Sequence, residues 1–280
     1  MEVGLRYQMF SVNIPDTSTS VYKLGNTTVA ASAIVSNLGL LYRLHPDHSV
    51  YAAFNTGFRT PNIDDMGTLG LVDFRYEIPA TGLRPEKSYN IEVGYKLHGR
   101  KLSGSFAGFQ MQLSDLITRV QLPGQQVGGY NVYIKENSQK SLVQGFEASL
   151  QYILHRTLTL KSALTYTYGQ NESKNEPMRR IPPLFGRILL QYQQRQWVCS
   201  VATNFAGKQD RLAQGDKDDN RISSAGTSAW VVFNLYGGYE AKHYALRLSL
   251  QNLLNRDYRM HGSGINGAGR NVALSVLLKL

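Results

Sequence analysis

GFEASLQYILHRTLTLKSALTYTYG, residues 145–169, decides the fold. Phe146, Ala148, Leu150 and Tyr152 alternate with Gly145, Glu147, Ser149 and Gln151. After the connection HRT at 155–157 the pattern resumes, with Leu158, Leu160, Leu164, Tyr166 and Tyr168 set against Thr157, Thr159, Lys161, Thr165 and Thr167. A period of two in a run rich in aromatic and β-branched residues is the mark of a strand with one apolar and one wet face. Two such runs joined by so short a link read as a hairpin.

The same alternation recurs outward from this hairpin. Tyr89, Ile91, Val93, Tyr95 and Leu97 oppose Asn90, Glu92, Gly94 and Lys96, and Tyr244, Leu246, Leu248 and Leu250 oppose His243, Arg247, Ser249 and Gln251. The chain finishes on RNVALSVLLKL, with Val272, Leu274, Val276, Leu278 and Leu280 on one face. No long segment carries a helical stripe, so the chain is all-β and antiparallel. Strands are expected at 2–12, 28–43, 49–58, 87–97, 102–113, 141–154, 158–168, 186–192, 197–206, 229–239, 244–251 and 270–280, about twelve in all.

A half-buried strand of a soluble sandwich alternates in the same way, so the face pattern alone does not place the protein. The connections do. HPDH (45–48), HGRK (98–101), HRT, QQRQ (193–196) and EAKH (240–243) are tight, whereas 13–27, 59–86, 114–140, 169–185, 207–228 and 252–269 are long and polar. Compact soluble domains favour links of about four to six residues. A strict alternation of short and long links is the pattern of an outer-membrane barrel, with short periplasmic turns and long extracellular loops. Most of the strands reach the roughly nine to eleven residues that a tilted strand needs to cross a bilayer. Tyr42, Tyr51, Tyr89, Tyr152, Tyr166, Tyr168, Tyr192, Trp197, Tyr239 and Tyr244 fall near strand ends, where interfacial aromatic girdles sit.

Composition limits the other classes. The formal charge is +10 over 280 residues, but no run of five basic residues occurs, which argues against a nucleic-acid partner. No stretch approaches the eighteen or so apolar residues of a membrane helix. The first twenty residues lack the basic start and apolar core of a secretory signal. One cysteine, Cys199, excludes an internal disulfide framework and shares the apolar parity of Trp197, Val201 and Phe205, which points it toward lipid.

Three segments then become specific: GFRTPNIDDM (57–66), LRPEKSYNIEVGYK (83–96) and NLLNRDYRMHGSGINGAGRNVALSVLLKL (252–280). With GFEASLQY and RIPPLFGRILLQY (181–193), their order and spacing resemble the barrel of TonB-dependent outer-membrane receptors over nearly the whole chain. The resemblance implies a plugged transmembrane β-barrel of about 22 strands. It implies active import of a scarce nutrient, such as a ferric siderophore, cobalamin or haem, energised through TonB. Residues 1–280 then correspond to the C-terminal portion of that barrel, a partial barrel without plug or signal peptide. Its free edges would leave backbone groups unpaired in lipid, so it is not expected to close into a working barrel alone. The implied partners are outer-membrane lipid and lipopolysaccharide, the TonB complex through an N-terminal region, and a small nutrient; a monomer in the bacterial outer membrane is expected. A passive or structural barrel is the alternative from another class.

No catalytic constellation and no phosphate-binding glycine loop stands out, so no enzyme is expected, and neither a cofactor nor a metal site. Phe58, Arg59, Thr60 and Pro61 resemble the first box of haem-transporting members, but 62–83 holds no histidine to serve as the axial ligand. His45, His48, His98, His155 and His243 fall in or beside the short turns. GDKDDN at 215–220 is oxygen-rich like a calcium loop but lacks its ligand spacing. The candidate ligand-binding residues lie on the long loops. Arg59, Arg75 and Arg211 suit an anionic chelate or lipopolysaccharide phosphate, because guanidinium pairs with both. Asp64 and Asp65 follow the first box, and His261 lies in the last long loop.

Overall fold

The computed structural model describes residues 1–14, 27–72, 75–80 and 82–279. The loop expected over 13–27 and the terminal Leu280 lie almost wholly outside them. In chain order the elements are β1 (Glu2–Ile14), β2 (Thr27–His45), β3 (His48–Arg59), α1 (Ile63–Gly67), β4 (Gly70–Val72), β5 (Arg75–Glu77), β6 (Glu86–His98), β7 (Leu102–Val127) and β8 (Tyr130–His155). They continue with β9 (Leu158–Asn171), β10 (Glu176–Pro177), β11 (Phe185–Gln194), β12 (Trp197–Ala206), α2 (Gln214–Lys217), β13 (Trp230–Glu240), β14 (Tyr244–Gln251) and β15 (Asn271–Leu278).

Twelve of these strands form one antiparallel path, β1-β2-β3-β6-β7-β8-β9-β11-β12-β13-β14-β15, and they are the twelve expected from periodicity. Each pairs antiparallel with its neighbour along the path, so the wall is an up-and-down meander. The path has two ends, β1 and β15, and the sheet is open.

The register carries one face across the whole sheet. Leu5, Leu38, Phe54, Ile91, Phe106, Ala148, Leu164, Ile188, Val201, Leu235, Leu248 and Leu274 share it, as the cross-strand pairings require. Through the middle of every strand this face holds no Asp, Glu, Lys or Arg. Its side chains are nonetheless open, with Leu5 76%, Ile91 55% and Leu274 70% accessible. A continuous uncharged band of that extent requires an apolar solvent. A single arginine or lysine there costs about 2–4 kcal/mol at the bilayer midplane. The opposite face carries Arg6, Glu92, Lys96, Glu147, Lys161, Arg187 and Arg247, the lining of a wet lumen. Cys199 is exposed on the apolar face, as its parity indicates.

Aromatic side chains band that apolar face. Trp197, Tyr239 and Tyr244 stack at the short-turn end, with ring centroids 4.7 and 6.1 Å apart. Phe106, Phe146 and Tyr166 form a second ladder at 5.9 and 5.8 Å. Tyr51 departs from the expected girdle. Its register partner is Gly94, on the lumen face, where its hydroxyl donates to Glu92 at 2.5 Å and Lys96 Nζ lies 4.9 Å from its ring.

The second correction concerns 114–140, expected as a polar loop. β7 and β8 instead run on as one projecting hairpin, 26 residues on each strand. Gly128 and Gly129 form its tip with φ of 58° and 83°, the two positive values that a tight hairpin turn needs and that glycine adopts without steric cost. The other long connections fold more irregularly. The 60–85 segment holds α1, β4 and β5, with β5 lying parallel to the β8 extension through Tyr76 and Val132.

Candidate functional site

The long connections gather at one end of the sheet and form two clusters. In the first, Arg59 ends β3 and its guanidinium takes Glu86, at the start of β6, by two bonds of 2.7 and 2.8 Å. Its third bond, 2.6 Å, goes to Asp65. Asp65 also accepts from the Asn62 amide at 3.0 Å, while the Asn62 side chain accepts from the Asp65 amide at 2.8 Å. This reciprocal capping box starts α1. Asp64 contributes its backbone carbonyl, which accepts from Lys135 Nζ on the β8 extension. Lys135 and Arg119 both meet the buried carboxylate of Glu77, Lys135 at 3.5 Å. Arg75 lies over the Tyr133 ring at 5.3 Å. Arg84 pairs with Asp115 at 2.8 Å, and the Asn137 side chain bridges the Arg84 and Asp115 carbonyls. Four of the expected site residues, Arg59, Asp64, Asp65 and Arg75, therefore come together here. Their contacts clamp the 60–85 segment to the β7–β8 hairpin.

The second cluster unites segments 172–184, 207–229 and 252–270. Asp219 is buried, and its Oδ2 accepts from Arg179, Arg180 and Arg221 at 3.0, 3.2 and 2.6 Å. The Arg221 side chain, foremost, and the Arg180 bond hold its carboxyl far below the usual carboxylate range against the cost of burial. Asp216 is buried too and accepts the Arg180 backbone amide at 3.1 Å. Asp216 and Asp219 of the GDKDDN segment are thus turned inward onto arginines, while Asp218 is exposed and accepts from the Gln214 side chain. Among the described residues no group of three or more His, Cys, Asp or Glu side chains is placed to hold a metal.

His261 joins this cluster. Its side chain is 1% exposed, its Nδ1 lies 2.9 Å from Thr227 Oγ1, and its Nε2 is 4.0 Å from Asp216 Oδ2 without a hydrogen-bond partner. Burial lowers its pKa below 6.5, against the pull of Asp216 and with the push of Arg180. Arg211 stands apart. Its guanidinium covers Tyr168 at 4.0 Å and donates to Gln170 at 2.7 Å, and both partners continue the outward parity of Tyr166. Arg211 therefore flanks the outer side of the wall, while His261 faces the lumen side.

Beneath the second cluster is a cavity of about 620 Å³. Ala163, Thr165, Arg187, Asn204, Trp230 and Val232 line it from the lumen face of β9, β11, β12 and β13. Tyr258, Met260 and His261 of the last loop close it above. Trp230 and Tyr258 pack with ring centroids 4.7 Å apart against Ala206 and Val232. Periodicity identified the strand residues without showing that they share a cavity. The arginine-rich stretches MRR at 178–180 and RDYRMHG at 256–262 were the available signal for the loops.

The family described as TonB dependent receptor-like, beta-barrel matches residues 1–253. The chain belongs to this family. It is 28% identical over 203 residues to the iron-regulated outer membrane virulence protein of Vibrio cholerae serotype O1, covering 67% of this chain and 31% of that protein. It is 24% identical over 202 residues to the ferric enterobactin receptor PirA of Pseudomonas aeruginosa, covering 69% and 27%. The chain thus spans about a third of the length of the curated relatives it matches. Among solved structures, the copper transporter OprC superposes with TM-score 0.82 at 21% identity over 98% of this chain and 44% of that one. The FrpB iron transporter of Neisseria meningitidis gives 0.75 at 19% identity over 98% and 42%. These structures establish the fold, an antiparallel β-barrel wall. The chain is an outer-membrane β-barrel protein, and neither its fold nor its relatives are enzymatic.

Proposed function

We propose that the chain is the C-terminal portion of a receptor barrel that imports a scarce metal chelate, a ferric siderophore first, with cobalamin and haem as the other cargo classes. The observation that carries this reading is the lumen-facing cavity of about 620 Å³ under an arginine-rich loop crown. It has the size and mixed aromatic and polar lining of a small-molecule site. Its place on the lumen face would give a bound chelate a route into the lumen. Energy would come from the TonB complex, contacted by a region outside these residues, with the receptor acting as a monomer. In this reading the cavity and His261 meet cargo, Arg59, Asp64, Asp65 and Arg75 hold the loops, and Arg211 lies at the level of lipopolysaccharide phosphates.

The test is uptake of radiolabelled iron from a panel of ferric chelates by iron-starved cells that carry the receptor. Uptake that depends on both the receptor and TonB is expected. Equal uptake in cells lacking TonB, together with steady conductance in planar bilayers, would replace the reading with a passive pore.

A further inference from the structure

A groove of about 520 Å³ is cut into the outer, lipid-facing side of the wall, across β6, β7, β8 and β9. Gly108 makes it. Its register partners are Val93 and Phe146, and Phe146 is opposite Tyr166, so a position without a side chain interrupts a row of large ones. An added Cβ at Gly108 would meet nothing nearer than 4.0 Å, so neighbouring atoms do not demand the glycine. The next register row toward the long loops is Ile91, Gln110, Gln144 and Tyr168. Both glutamines are exposed, and neither side chain makes a hydrogen bond among the described residues. Beside hydrocarbon an unmet carboxamide is costly, so the pair favours a partner with donors and acceptors of its own.

The groove has a direction. Strands of a transmembrane barrel tilt by about 40°, so a row perpendicular to them climbs through the membrane. Tyr168 is ten residues from the short-turn end of β9 at Leu158, whereas Val93 is five from that of β6 at His98. At about 3.3 Å per residue, Tyr168 is near the top of an apolar band about 25 Å tall and Val93 near its middle. The Tyr168 ring carries Arg211 at 4.0 Å, and Arg211 also donates to Gln170 at 2.7 Å. Both contacts are uncharged, and among the described residues no carboxylate pairs with Arg211. A cation at the top, two carboxamides below it and an apolar slot running to mid-membrane follow the order of phosphate, amide-bearing head and acyl chain in an outer-leaflet lipid.

We propose that this groove seats one lipid A moiety of the outer leaflet, with a phosphate on Arg211, its amide-linked head on Gln110 and Gln144, and an acyl chain running along Gly108 to Val93. A diacyl phospholipid shares the phosphate and the chain but has no amides for the two glutamines. The inference rests on Arg211 flanking the outer side of the wall. It holds whatever the cargo, because the groove is on the face opposite the lumen.

The experiment uses the intact receptor in detergent micelles, read by native mass spectrometry. The probes, at equal concentration, are bisphosphorylated lipid A, lipid A stripped of both phosphates, and phosphatidylglycerol. Bisphosphorylated lipid A is expected to be retained about fivefold more than the stripped form, the worth of one arginine beside an anionic headgroup, and more than phosphatidylglycerol. Arg211→Gln should bring it down to the stripped form, and Arg211→Lys should keep most of the preference. Gly108→Leu, which fills the slot from the lipid side, should reduce its retention while heat-modifiable migration stays normal; should that variant fail to insert, the Arg211 pair decides alone. Gln110→Leu with Gln144→Leu should erase the preference over phosphatidylglycerol. Equal retention of lipid A and phosphatidylglycerol, a phosphate preference that survives Arg211→Gln, or full retention by a folded Gly108→Leu receptor overturns the proposal. TonB-dependent iron uptake is scored separately, so the transport reading stands or falls on its own result.

Discussion

The two loop clusters use the same residue types to different ends. In the first, Arg59, Arg84, Arg119 and Lys135 each meet a carboxylate, and Arg75 meets an aromatic ring. Its charge is consumed in fastening a segment to a hairpin. In the second, three guanidiniums crowd one aspartate, Arg259 donates to the uncharged Asn266 side chain and Arg221 carbonyl, and a cavity opens beneath. Arginine content alone therefore does not tell the two clusters apart; the balance of charge after internal pairing does.

The sharpest way to break this comparison is Glu77→Ala. It would leave Arg119 and Lys135 without their buried carboxylate, and loss of one partner from a buried pair costs about 3 kcal/mol. Hydrogen exchange should rise across 60–85 and leave the wall unchanged; an unaltered segment would show that Glu77 does not fasten it. Asp219→Asn should cost less, about 2 kcal/mol, because its three arginine partners are about half exposed and regain water. Faster exchange confined to 172–184, 207–229 and 252–270 is the expected signature, and a loss exceeding that of Glu77→Ala would reverse the ranking.

A smaller effect comes from pH. The folded pKa of His261 is depressed, chiefly by burial, below its ordinary 6.5. Above that value the imidazole is neutral whether the crown is closed or open, so its contribution is fully present. Below it, an opened crown binds a proton that the closed crown refuses, and closure weakens as pH falls toward the folded pKa. Amide exchange in 252–270, corrected for intrinsic rates, should therefore be faster at about pH 5.5 than at about pH 7.5. His261→Gln should flatten the difference, while 60–85 should show none. The smallest effect tests the faces rather than the clusters. A spin label on Cys199 should relax with lipid-soluble oxygen and one at Ser200 with an aqueous reagent, with no change in stability; the reverse result would invert the wall.

The wall was almost fully legible because strand pairing is local. Period-two alternation places each strand, and a tight link brings the next beside it. Tyr51 escaped because its apolar ring is on the wet parity, opposite Gly94, so residue type and face disagree. The β7–β8 extension escaped because LITRVQL and NVYIKE read as loop until Gly128 and Gly129 are recognised as a hairpin tip. The expected site residues were loop arginines, aspartates and a histidine; the geometry divides them among a clamp, an outer flank and a cavity rim.

What the sequence determined by itself is the all-β wall, its lipid and lumen faces, the rhythm of turns and loops, and the family. These follow from side-chain period and link length, which act between neighbours in the chain. Only the tertiary structure decided which charges cancel. Asp219 meets Arg179 and Arg180 across about forty residues, and Trp230 meets Tyr258 through a separate loop. No local pattern encodes contacts among three irregular segments. Their partners are set by where the strands deliver each loop and by the cost of burying a charge alone.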